Sequence, residues 1–132
     1  MDYVKINGTA YDVIVTEVEE NFNILYSDNT GRTLGIGAPL TLDPYGTFYG
    51  HKVTFMRHKD NFAEYDSLFI ALSKPTYSGI NVEIVHNQTT LNYQAYVSSG
   101  SRTLKRIAPK TGTVYWDKFS ANFIPVKAQV TP

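Results

Sequence analysis

Cysteine is absent from the chain. That removes disulfide frameworks, thiolate metal sites and cysteine nucleophiles at once. No apolar run approaches the roughly 18 residues of a membrane-spanning helix. The opening Met1-Asp2-Tyr3-Val4-Lys5 lacks a basic stretch followed by an apolar one, so no secretory leader is expected. The expected setting is a cytosol, or the outside of a cell reached by lysis or inside a particle, with no membrane partner. Net charge is zero, which argues against a dedicated nucleic-acid binder. Histidine is scarce, with only His51, His58 and His86. A catalytic zinc site needs three converging ligands, usually with a close pair on one element. His51 and His58 are expected on opposite sides of a strand, so no metal or cofactor is expected.

Catalytic motifs are missing as well. There is no Gly-x-Ser-x-Gly elbow. Gly35-Ile36-Gly37-Ala38-Pro39 lacks the third glycine, the lysine and the following helix of a phosphate loop. Asp60, Glu64 and Asp66 are the densest carboxylates outside the N-terminal segment. They read as a solvated helix start, where acids favour the positive end of the helix dipole. The chain is expected not to be an enzyme.

What is present is one domain, 1–132, rich in strand formers. Ten Tyr and seven Phe stand among many β-branched residues, a composition suited to pleated, half-buried surfaces. Val4-Lys5-Ile6, Asn7-Gly8 and Thr9-Ala10-Tyr11 read as a hairpin on a type I′ turn. Asn87-Gln88-Thr89 reads as a second turn. A long strand runs from Tyr11 to Tyr26, with a bulge expected near Glu19-Glu20-Asn21. Residues 27–46 carry Gly31, Gly35, Gly37, Pro39, Pro44 and Gly46 and read as a long loop. The loop is unusually apolar, with Leu34, Ile36, Leu40, Leu42 and Tyr45, so it either folds over the core or docks on another chain.

Thr47 to Arg57 alternates as a strand, with Tyr49, His51, Val53 and Phe55 on one face. Residues 61–73 read as the one amphipathic helix. Asn61 caps it, Glu64 completes a capping box, and Phe62, Tyr65, Leu68, Phe69 and Leu72 form its apolar face. Strands follow at Ile80–Ile84 and Leu91–Val97, then a Ser98–Ser101 loop, a short basic strand Leu104–Ile107, and an extended stretch from Val114 to Val130. The fold class is mostly β (α+β): a β-sandwich or partly closed barrel of about 6–8 antiparallel strands with one flanking helix.

Charge is uneven along the chain. Residues 1–31 hold six acids and one base, a balance of −5; residues 98–132 hold six bases and one acid, a balance of +5. Either the two ends neutralise each other within the domain, or complementary faces meet between neighbouring copies. Tyr77, Tyr96, Tyr115 and Trp116 raise an alternative, a stacking platform for a sugar on a β-sandwich binding module.

The order of elements, with Ile6-Asn7-Gly8-Thr9, the glycine-rich segment from Asp28 to Gly46, the helix ending at Ser73-Lys74-Pro75 and the closing Phe119-Ser120-Ala121-Asn122-Phe123, resembles the tail-tube fold of phages and contractile injection systems. That family includes tail tube, distal tail and baseplate ring proteins. The resemblance implies a structural virion component assembled in the host cytoplasm. It implies copies of the chain joined in a ring, six being one expectation, with other tail or baseplate proteins as neighbours. It also implies a lumen through which DNA passes without specific binding. On this view Glu17, Glu19 and Glu20 suit the lumen wall, and Arg32, Leu34, Ile36, Leu40, Leu42 and Tyr45 suit contacts between subunits. Distal tail proteins usually carry a second domain beyond this one, so the chain's length favours a tube or short baseplate component.

Overall fold

In the computed structural model the described residues are 4–27, 31–32 and 40–132. They form β1 (Val4–Ile6), β2 (Val13–Tyr26), β3 (Gly31–Arg32), β4 (Leu40–Thr41), β5 (Pro44–Arg57), α1 (Phe62–Ser73), β6 (Ile80–His86), β7 (Thr89–Ile107) and β8 (Val114–Pro125). Six strands make one antiparallel sheet in the order β1-β6-β7-β8-β5-β2, and β3 and β4 pair as a separate ribbon. The mostly β class with one flanking helix is as expected.

The sheet is strongly rolled, although hydrogen bonds do not close it into a barrel. Six strands laid flat would be about 24 Å across. The chain nevertheless passes from β1 at one edge to β2 at the other through a turn and a short link. Ile6 bridges Thr9, and from Thr9 to Val13 the chain can reach only about 14 Å. The two edges must therefore curl toward each other. Of the sandwich and the partly closed barrel, this is the rolled, incompletely closed form.

The core fills the concave side of the roll. Val53, Phe55, Val82, Ile84, Ala95, Phe119, Ala121 and Phe123 line it, and Tyr65, Leu68 and Leu72 cover it from α1. Asn61 accepts a hydrogen bond from the Glu64 amide at 3.4 Å. The reciprocal half of the box is not made, because the Asn61 amide donates to the His58 carbonyl instead. Tyr65 and Phe69 meet Phe119 edge-on at 5.2 and 5.4 Å, and the Tyr65 hydroxyl donates to the Asp117 carbonyl.

Several boundaries differ from the sequence reading, each for a local reason. Asn7 and Gly8 take the positive φ that the turn needs, but β1 pairs with β6 rather than with the following strand. The register shifts in β2 fall at Val15/Glu17 and Leu25/Tyr26, not at Glu19-Glu20-Asn21. Polar residues there mark an exposed edge, not an interruption. The strand expected from Thr47 begins at Pro44 and takes in Gly46. Gly46 has φ +150, and a Cβ there would lie 2.5 Å from the Val130 carbonyl oxygen, so only glycine allows the C-terminal segment to approach. Ser98-Ser99-Gly100-Ser101 is not a loop. It is an irregular stretch inside one 19-residue strand, with register shifts against β8 at Val97/Gly100 and twice more before Arg106. The last strand stops at Pro125 instead of Val130. Beyond it the chain crosses to β5, where Val130 bridges Thr47 and the Gln129 side chain bonds both backbone groups of Tyr49.

Candidate functional site

Residues facing each other in an antiparallel pair share a side of the sheet. Glu20 lies opposite His51, whereas Glu19 lies opposite Lys52 and Glu17 opposite Thr54. The three acids expected on one wall are therefore divided. Glu20 points to the concave face, and Glu17 and Glu19 point to the other.

Glu20 is the centre of a polar cluster there. Its Oε2 accepts from His51 Nε2 and from His86 Nδ1, each at 2.8 Å. His51 Nδ1 lies 2.7 Å from the Tyr93 hydroxyl, and the Tyr49 ring packs on His86 at 4.9 Å. A carboxylate only accepts, so His51 Nε2 carries the proton and, in the neutral ring, Nδ1 accepts from Tyr93. Every buried side-chain nitrogen and oxygen of the cluster is then satisfied. His51 is 1% exposed, and burial lowers its pKa, against the pull of Glu20. Burial likewise raises that of Tyr93. Burial raises the pKa of Glu20 too, but the hydrogen bonds from His86 and His51 outweigh it and the net shift is downward. The cluster ties β2 to β6 across four strand spacings, about 19 Å on a flat sheet. It is a fastener for the roll. Tyr93 and His51 are too deeply buried to meet a substrate. His58, by contrast, is exposed and bonds Asp12, which also accepts from Asn61 and has its pKa lowered by both contacts, that from Asn61 foremost.

The aromatic residues do not form one platform. Tyr77 is fully exposed in the segment after α1, and Tyr96 is half exposed on β7. Tyr115 and Trp116 are engaged elsewhere. Arg106 lies 4.0 Å from the Tyr115 ring and Arg57 5.3 Å from it; Arg102 lies 4.0 Å from Trp116 and 3.8 Å from Phe69. Guanidinium groups thus lie over two of the four rings, Tyr115 and Trp116. Arg102 also pairs with Asp66.

Besides the outer side of the three-residue β1, two long stretches of strand edge are open among the described residues. Among the described residues no strand lies on the outer side of β2 along its 14 residues. β6 covers β7 only as far as Ala95, opposite Ile80, so among the described residues no strand covers β7 on that side from Tyr96 to Ile107. The far half of β2 is apolar and uncovered. Phe22 is 64% exposed, Ile24, Leu25 and Tyr26 are more than two-fifths exposed, and Leu42 and Tyr45 stand exposed nearby. The Ser27 hydroxyl and amide both bond Asp43, fixing this end of the ribbon. Of the expected contact residues, Leu42 and Tyr45 are thus on the surface. Leu34 and Ile36 lie outside the described residues, as do the side chains of Arg32 and Leu40.

No ion pair among the described residues joins an acid of 1–31 to a base of 98–132; the bases Arg102 and Lys105 pair with Asp66 and Asp117. Among the described residues the two charged ends do not neutralise each other through direct contacts. Sequence reading placed His51 on an apolar strand face but found neither partner, because Glu20 and Tyr93 come from strands distant in the chain. Comparison with known proteins adds no relative: no family model matches the chain, and no curated protein matches it.

Proposed function

We propose that the chain is a non-catalytic structural subunit of a phage or phage-like tail or baseplate ring, assembling with copies of itself through its strand edges and the 27–46 segment. One observation carries the reading: a 14-residue strand at the sheet edge with an exposed apolar half beside Leu42 and Tyr45. Unpaired edge N–H and C=O groups invite strand addition, and self-contained proteins usually blunt such edges with short strands, bulges or covering loops. Here the apolar residues Phe22, Ile24 and Leu25 are displayed on it.

The test is sedimentation velocity and native mass spectrometry across concentration. A symmetric oligomer that grows with concentration into rings or tubes is expected. A strictly monomeric protein at about millimolar concentration, where even a weak specific contact of roughly 4 kcal/mol would register, defeats the reading.

A further inference from the structure

The end of α1 leaves a gap over the sheet. α1 stops at Ser73, ahead of Pro75, and β6 begins only at Ile80, opposite Ala95. Beyond Ala95, β7 also slips register against β8 between Val97 and Gly100. The space so opened is a cavity of about 480 Å³ between the last turn of α1 and the Tyr96–Gly100 stretch of β7. Phe69, Leu72, Phe119 and Ala121 line it, and the last three are core residues. The charge of its lining is one-sided. Lys74 contributes to the wall and no carboxylate does. Lys74 makes no ion pair with a described residue.

We propose that this cavity binds a small apolar monocarboxylate of the medium-chain fatty acid type. Its hydrocarbon body lies against Phe69, Leu72, Phe119 and Ala121, and its carboxylate faces Lys74. The site is contained in one subunit and does not rest on the ring reading.

The ligand class follows from the lining. The volume falls in the range of small-molecule sites, which are mostly apolar with a few placed polar groups. Water against apolar walls forgoes hydrogen bonds that it makes in bulk, so a hydrocarbon replaces it favourably. An ammonium with no carboxylate beside it favours an anionic head over a neutral one. A peptide strand is the poorer occupant. Val97 lies opposite Phe123 and Gly100 opposite Ala121, so Ser98 and Ser99 together face the single Asn122. Such a bulge breaks the even row of N–H and C=O groups that strand addition needs.

Calorimetric titration of the dilute protein with hexanoate, octanoate and decanoate tests this. Affinity is expected to rise about fourfold per added methylene and to level off once the chain fills the cavity. Lys74→Glu is expected to weaken octanoate about tenfold and to leave octanol unchanged. Lys74 is exposed, so this variant is expected to melt near the parent temperature. Methyl NMR signals of Leu72 and Ala121 are expected to shift on binding, and those of Leu25 and Leu42 to stay in place. No binding up to the solubility limit of decanoate overturns the proposal. So does an affinity that climbs steadily through tetradecanoate, which is the mark of adsorption, or a shift confined to Leu25 and Leu42. If Lys74→Glu weakens octanoate and octanol equally, or neither, the carboxylate assignment is wrong. A capped valine-rich peptide that binds where decanoate does not would give the groove to a strand instead. None of these outcomes depends on whether copies of the chain assemble.

Discussion

At the residue scale the most informative side chain is His51. An imidazole held almost fully from water, with both nitrogens bonded, is costly unless each partner stays in place. Tyr93→Phe leaves His51 Nδ1 without a donor and is expected to lower stability by about 1–3 kcal/mol, read as a shift of the urea midpoint at unchanged slope. The pH dependence has a definite sign. The folded pKa of Glu20 lies below its ordinary 4.5 and that of His51 below 6.5. Both contributions are therefore present above the ordinary values and are lost as pH falls through the folded ones. The melting temperature should fall as pH drops from about 6.5 to below about 4.5. Glu20→Gln removes the group that titrates below about pH 4.5, so below that pH its melting temperature should fall less steeply. A variant with the parent's slope would mean that the cluster does not link protonation to folding. Of this cluster the sequence revealed only half. The placement of His51 among Tyr49, Val53 and Phe55 showed a histidine on an apolar face. Its partners Glu20 and Tyr93 could be found only from the sheet order.

At the element scale α1 is the piece that the sequence defined best. Its apolar spacing, its Asn61 cap and its stop before Pro75 are all local properties, and local properties are legible in one dimension. Leu68 is buried and Ile70 is mostly exposed. Leu68→Ala is expected to cost about 2–5 kcal/mol, and Ile70→Ala no more than about 0.5 kcal/mol, compared by thermal or urea melts. Near-equal melts would mean that α1 does not cover the core. Strand extents were less legible, and the errors share a cause. A run such as Ser98-Ser99-Gly100-Ser101 has the composition of a loop, yet β8 continues to pair on either side of it. Pro44 and Gly46 have the composition of a break, yet β2 pairs along them. The extended reading to Val130 overran Pro125, where β8 ends and the residues after it find β5 as a new partner. In each case a neighbouring strand from elsewhere in the chain overrides local preference. The same holds for β1. The Asn7-Gly8 turn was correctly read, but the roll of the sheet, invisible locally, sends the strand after it to the opposite edge.

At the scale of the whole molecule, the question is what covers the apolar end of the β2–β5 ribbon. Burying one large apolar side chain is worth roughly 1.5–3 kcal/mol. Phe22, Leu42 and Tyr45 are each more than half exposed, so little of that is realised within the subunit. Contiguous apolar groups left in water are characteristic of surfaces that meet a partner. Three serine substitutions separate a surface of this kind from a core contact. Phe22→Ser, Leu42→Ser and Tyr45→Ser together are expected to leave the monomer's melting temperature nearly unchanged, because the folded subunit draws little from these side chains. The same variant is expected to lose its oligomers, because an assembled copy would draw on all three. Sedimentation velocity and a melt on the same sample read both effects. If the triple variant unfolds, these residues support their own subunit, and the apolar ribbon ceases to be evidence for a ring. If it stays folded and still assembles, the contact between copies lies elsewhere on the surface.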